Sequence, residues 1–169
     1  LREAYDGYFA DVALFKIGKI YRLTGRDDDA MAVFSRLKHE FPQSDRADDA
    51  MLEILNILFD GGDFESVIAH GRAYTETTDP NLARRPFFII VADAYAALGV
   101  HLDAARFYYR AWNAASGMDS EIAFTTFKQA AEPLNAADLQ QLIAEVTDRR
   151  VMELLLYRLG MAFLLDENY

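Results

Sequence analysis

Hydrophobic positions recur along the chain with helical spacing, and the whole pattern repeats at an interval of 37 residues. In the first copy, Leu14, Ile17 and Tyr21 fall at i, i+3 and i+7, which is the spacing of one face of an α-helix. Three glycines end the first three stretches of this kind: Gly25, Gly62 and Gly99. The pattern predicts helices in pairs, with each glycine in the left-handed conformation that commonly ends a helix.

A second helix is predicted after each glycine. In the first copy, acidic residues 27–29 begin it, because carboxylates favour the positive end of a helix dipole. Ala30, Phe34 and Leu37 continue its apolar face, and Pro42 closes it. Gly18 offers a point of close approach at which this second helix packs on the first. One pair leaves an apolar face uncovered, so neighbouring pairs are expected to stack.

The residues of the first copy resemble the signature of tetratricopeptide repeats. The signature positions stand here as Leu14, Ile17-Gly18, Tyr21, Ala30, Phe34 and Pro42. Later copies depart from it, since Leu55 and Ala92 replace the first glycine and Gly71 replaces Phe34. The resemblance implies an all-α fold: a right-handed superhelix, or α-solenoid, of about four to five antiparallel helix pairs.

The repeat boundaries are predicted at about 11–47, 48–84 and 85–118. Leu156, Gly160 and Phe163 restore the register 68 residues after the third copy, so a degenerate pair is expected at 119–152 and a truncated one at 153–169. In the degenerate pair, Pro133 follows a helix predicted over residues 119–132, and Asn135 caps the next. Residues 1–8 are predicted as the tail of a preceding helix, and the chain as a fragment of a longer protein.

Charge and composition argue against several classes of binding partner and site. The formal net charge is −10, from 27 acidic and 17 basic residues, so the general field of the protein repels nucleic acid. There is no cysteine, which excludes disulfides and thiolate metal sites. No apolar run approaches the roughly 18–20 residues that span a bilayer, so membrane insertion is not expected.

The sequence offers little for catalysis, and we predict no enzyme activity, no cofactor and no metal. His39, His70 and His101 are equally spaced but fall at different places in the repeat. Residues 27–29 lack the alternating ligands of a calcium loop, and Gly61-Gly62 lacks the Lys-Ser or Lys-Thr of a phosphate loop. Trp112 and residues 107–109 are interpreted as core rather than as a ligand box.

The resemblance implies that the first helix of each pair lines a concave groove for a protein or peptide. The positions that would face it are Phe15, Lys19, Arg22, Leu52, Asn56, Phe59, Ile89, Asp93 and Tyr157. The apolar members favour hydrophobic side chains of an extended or helical peptide. Alternatively, these residues widen the core between helices, or another part of the chain covers them.

The junction Phe41-Pro42-Gln43-Ser44, followed by Ala47 and Ala50, resembles junctions in tetratricopeptide proteins of the bacterial envelope. Those families are outer-membrane assembly lipoproteins, a Tol-Pal partner and penicillin-binding-protein activators. The expectation is a protein-interaction scaffold in the periplasm or cell envelope, with a cytoplasmic location as the alternative. The alternative function is a structural spacer that positions a ligand-binding or catalytic domain lying C-terminal to this fragment.

Overall fold

The computed structural model describes residues 9–77, 85–115 and 118–166, and every regular element in those ranges is an α-helix. The all-α helical-repeat class predicted from the sequence is therefore confirmed. The predicted tail at residues 1–8 lies outside the described residues. The helices are α1 (Ala10–Leu23), α2 (Asp27–Glu40), α3 (Asp45–Asp60), α4 (Phe64–Thr77), α5 (Arg85–Ala97), α6 (His101–Asn113), α7 (Met118–Ala130), α8 (Ala136–Glu145) and α9 (Arg149–Asp166).

Glycines in the left-handed region end the first helix of three pairs, as predicted. Gly25, Gly62 and Gly99 have φ angles of 72°, 79° and 73°. After each of them, the next backbone N–H donates to the carbonyl five residues earlier, at 2.9 Å in all three turns. One turn geometry therefore recurs at the predicted interval, and it satisfies carbonyl groups that a helix end otherwise leaves without partners.

Side-chain caps fix the starts of two helices. The hydroxyl of Ser44 accepts from the Arg46 N–H at the start of α3. Asn135 accepts from the Asp138 N–H at 2.9 Å, which confirms its predicted capping role. The preceding helix begins at Met118 and ends at Ala130, slightly short of the predicted 119–132, because the chain already turns before Pro133.

The residues divide into two compact units, and the first is Leu1–Val67. Its α1 and α2 run antiparallel, with Phe34 of α2 against Gly18 and Phe15 of α1. Side chains near the starts of α1 and α3 contact each other, and so do side chains near their ends. These two helices therefore run parallel. The fully buried centre of this unit is formed by Ala30, Phe34, Leu37 and Ala50.

The second unit, Ile68–Tyr169, is built in the same way around aromatic rings. Phe107 of α6 packs on Phe88 and Tyr95 of α5, at ring-centroid distances of 6.5 and 5.6 Å. Trp112 packs on Phe124 of α7 at 5.8 Å. Phe107 and Tyr108 are buried and Trp112 half-buried, so the interpretation of these aromatics as core is confirmed.

Candidate functional site

On α1, the first predicted contact residue lies at the rim of the core. Phe15 is half-buried and its ring centroid is 5.7 Å from that of Phe34. The guanidinium of Arg46, from α3, lies 5.7 Å from the Phe15 ring on a second side. Phe15 therefore contributes to packing within the first unit and leaves only part of its ring to solvent.

Two predicted contact residues of α1 hold α1 and α3 together. The Lys19 ammonium donates to Glu53 Oε1 at 2.8 Å. Arg22 donates to Asp27 at 2.8 Å and also pairs with Asp60. The hydrogen bond that Arg22 donates to Asp27 is the main reason that the pKa of Arg22 is raised. Both cations are thus engaged with carboxylates of their own unit, which sequence reasoning did not anticipate.

The predicted residues of α3 follow one helical stripe. Leu52, Asn56 and Phe59 are each half-buried and stand at i, i+4 and i+7. The Phe59 ring makes an edge contact with Phe64, at 5.2 Å between centroids. Together with the exposed parts of Phe15, Lys19 and Arg22, this stripe forms what we call the α1–α3 strip.

In the second unit, the predicted residue Asp93 takes part in a hydrogen bond between two helices. It is half-buried in α5 beside Ile89, which is also half-buried, and it accepts a hydrogen bond from the Tyr108 hydroxyl of α6. Burial raises the pKa of the Asp93 carboxyl, which the hydrogen bond only partly offsets, and burial also raises the pKa of Tyr108. The signal for this pair was a lone carboxylate in an otherwise apolar helix.

Tyr157, the last predicted contact residue, is 69% exposed on α9 and lines a surface groove of about 350 Å³. Leu139 of α8, together with Met161 and Leu165 of α9, forms the apolar side of this groove. Arg158, which donates to the Glu132 carbonyl, forms its polar side. The sequence predicted Tyr157 as part of a concave surface but did not predict this groove between α8 and α9.

The side chains of the described residues do not group into a metal site. In the ranges 9–77, 85–115 and 118–166 no three His, Cys, Asp or Glu side chains are grouped closely enough to hold a metal ion. Surface ion pairs lower the pKa of two carboxyl groups among the described residues, Glu40 beside Arg36 and Glu121 beside Arg150. None of the helices described is long and apolar enough to cross a membrane.

Comparison with known proteins gives one family match. Residues 12–44 match the Tetratricopeptide repeat family, and this segment contains most of α1, all of α2 and the junction to α3. No match was found among curated proteins. The first helix pair is therefore similar to a tetratricopeptide repeat, a kind of unit that in general mediates contacts between proteins.

Proposed function

We propose that this chain is a protein-interaction scaffold of the tetratricopeptide type and that it binds a peptide segment of a partner along the α1–α3 strip. The observation that carries the proposal is the position of this strip on the first helices of consecutive pairs. There Leu52, Asn56 and Phe59 keep part of their surface in solvent, although neighbouring residues of α3 such as Leu55 are fully buried.

The electrostatics of the strip indicate the class of peptide. Its two cations, Lys19 and Arg22, are paired with three carboxylates: Glu53, Asp27 and Asp60. Asp60 remains 60% exposed, and the whole chain carries a formal charge of −10. A peptide with apolar side chains flanked by lysine or arginine fits this surface, since its charge is opposite to the local and the overall field.

A display library of random peptides, selected on the immobilised chain, tests the proposal. We expect selected peptides to combine an aromatic or aliphatic anchor with basic residues, and to bind more weakly as salt is raised. Leu52→Asp should weaken their binding about tenfold or more, because it places a charge at an apolar contact. Ala32→Asp on the exposed side of α2 adds the same charge elsewhere and is the matched control.

Two results would contradict peptide binding at this strip. One is equal affinity of the selected peptides for Leu52→Asp and for Ala32→Asp, with both variants fully helical by circular dichroism. The other is a selection that yields no saturable binder. That second result would favour the alternative function, a spacer that holds a neighbouring ligand-binding or catalytic domain in position.

We also infer that the chain acts in the periplasm or cell envelope of a bacterium. The support is the resemblance of the junction at residues 41–50 to envelope tetratricopeptide proteins. The local structure gives two junction residues a role: Phe41 is half-buried against the core, and Ser44 caps α3 while donating to Asp11. Fractionation of source cells with an antibody to the chain tests the location, and recovery in the cytoplasm alone would contradict it.

A further inference from the structure

The three carboxylates beside the α1–α3 strip differ in how well they can accept a second cation. Glu53 pairs with the Lys19 ammonium, and its side chain is only 18% exposed. Asp27 and Asp60 both pair with Arg22, and their side chains are 44% and 60% exposed. One guanidinium is therefore shared by two carboxylates that remain open to solvent, whereas the charges of the other pair balance each other.

The helix ends make Asp60 the more negative of the two carboxylates that share Arg22. Asp27 is the first residue of α2, where the positive end of the helix dipole offsets its charge. Asp60 is the last residue of α3, where the negative end of the dipole adds to its charge. The last turn of α3 holds no basic residue of its own. A cation from a partner is therefore attracted to Asp60 more strongly than to Asp27.

Asp60 lies at the end of the α1–α3 strip, next to the turn that follows α3. It follows Asn56 by four residues, which places the two side chains on neighbouring positions of one face of α3. Leu52 lies one turn further back, so about 12 Å of helix separates its backbone from that of Asp60. The strip thus joins an apolar surface around Leu52 to an exposed carboxylate at the end of the helix.

We propose that Asp60 is the residue that selects a basic peptide, and that it pairs with one lysine or arginine of the bound segment. The inference rests on the proposed function and adds an order to it: the apolar anchor lies at Leu52, and the basic residue lies toward the turn after α3. An extended peptide rises about 3.3 Å per residue, so three or four residues separate its anchor from its basic residue. Arg22 keeps Asp27 as its partner when Asp60 pairs with the peptide.

Selection of one random peptide library on the natural chain and on an Asp60→Arg variant tests the proposal. On the natural chain, we expect lysine or arginine to recur three or four positions from an apolar anchor. On Asp60→Arg, we expect aspartate or glutamate at that position and the same kind of anchor, because the pairing charge is reversed and Leu52 is unchanged. An arginine in the last turn of α3 suits the helix dipole, so the variant should remain folded, which circular dichroism checks.

Glu40→Arg is the matched control. Like Asp60, Glu40 is the last residue of its helix, its side chain is exposed, and it pairs with an arginine of its own unit, Arg36. Both substitutions change the net charge of the chain equally, but Glu40 lies in α2 and outside the strip. Peptides selected on Glu40→Arg should therefore still be basic.

A milder variant measures the contribution of the charge. Asp60→Asn should weaken a basic peptide selected on the natural chain about two- to fivefold at low salt, as expected for an exposed ion pair. The same peptide should bind Glu40→Gln as it binds the natural chain, and the difference between the two variants should shrink as salt is raised.

The possible failures can be told apart. If Asp60→Arg still selects basic peptides with the same anchor, the proposal is overturned, while peptide binding along the strip stands. If Glu40→Arg changes the charge preference as much as Asp60→Arg does, the overall field sets the preference and the role of Asp60 is again overturned. If no chain yields a saturable binder, the proposed function itself fails.

Discussion

Replacement of Gly18 by alanine tests whether the first helix pair is held together as the structure indicates. Gly18 lies in the middle of α1, where alanine is the better helix former by about 1 kcal/mol. Judged from α1 alone, Gly18→Ala should stabilise the protein. The packing predicts the opposite, because the added methyl group would lie 2.5 Å from a ring carbon of Phe34.

The magnitude follows from how far Phe34 can retreat. Carbon atoms that are not bonded rarely approach closer than about 3.5 Å, so the ring must move by about 1 Å. Phe34 is 0% exposed, in a cluster with Leu14, Ala30 and Leu37, and the space around it is filled. Overpacking of this kind costs about 1–3 kcal/mol. The gain in helix propensity offsets about 1 kcal/mol of this cost, so we expect a net loss of up to about 2 kcal/mol.

Urea unfolding followed by circular dichroism measures the free energy of each variant. In a Phe34→Leu background the ring is absent, and Gly18→Ala should then stabilise by about 0.5–1 kcal/mol. Gly160→Ala is the matched control in open space and should stabilise by a similar amount. The reasoning is refuted if Gly18→Ala stabilises the natural protein, or if its effect is the same with and without the Phe34 ring.

Three further predictions concern other elements. Gly25→Ala forces a side chain into the left-handed region at φ 72° and should cost about 1–2 kcal/mol, measured by urea unfolding. Asn135→Ala removes the cap of α8 and should cost about 1 kcal/mol, seen as faster amide hydrogen exchange in that helix. Burial raises the pKa of Asp93 above its ordinary value of 3.8. Its contribution to stability is therefore full below that value and lost as pH rises through the folded pKa. Asp93→Asn still accepts the hydrogen bond from Tyr108 but does not titrate. It should therefore reduce the fall in melting temperature between a pH below 3.8 and a pH above the folded pKa of Asp93.

The helix pairs were predictable because their signals are local. A glycine with positive φ, an acidic first turn and an apolar stripe all act within a few residues of each other, so Gly25, Gly62 and Gly99 indicated three helix ends correctly. The packing of α2 on Gly18 was also predictable, since a glycine inside a helix that is otherwise well formed indicates close approach; the structure adds that Phe34 makes the contact.

The contact surface was harder to predict, because exposure depends on which elements lie beside each other. Lys19 and Glu53 are 34 residues apart, and nothing in the sequence of α1 indicates that its cations are paired with α3. Asp93 was assigned to a groove by its place in the repeat, whereas its carboxylate accepts a hydrogen bond from Tyr108 of the next helix. The position of a residue in the repeat predicts which face of the helix it lies on. Whether its charge is available to a partner depends on pairing with side chains of neighbouring helices.

Gly18 and Gly160 also show that the sequence of one helix does not predict what packs against it. Both stand among apolar residues at the same repeat positions, so the sequence assigns them one role. In the structure, Gly18 holds a ring and Gly160 faces open space. The difference lies in whether an antiparallel helix brings an aromatic side chain close to the glycine, which is a property of a neighbouring element.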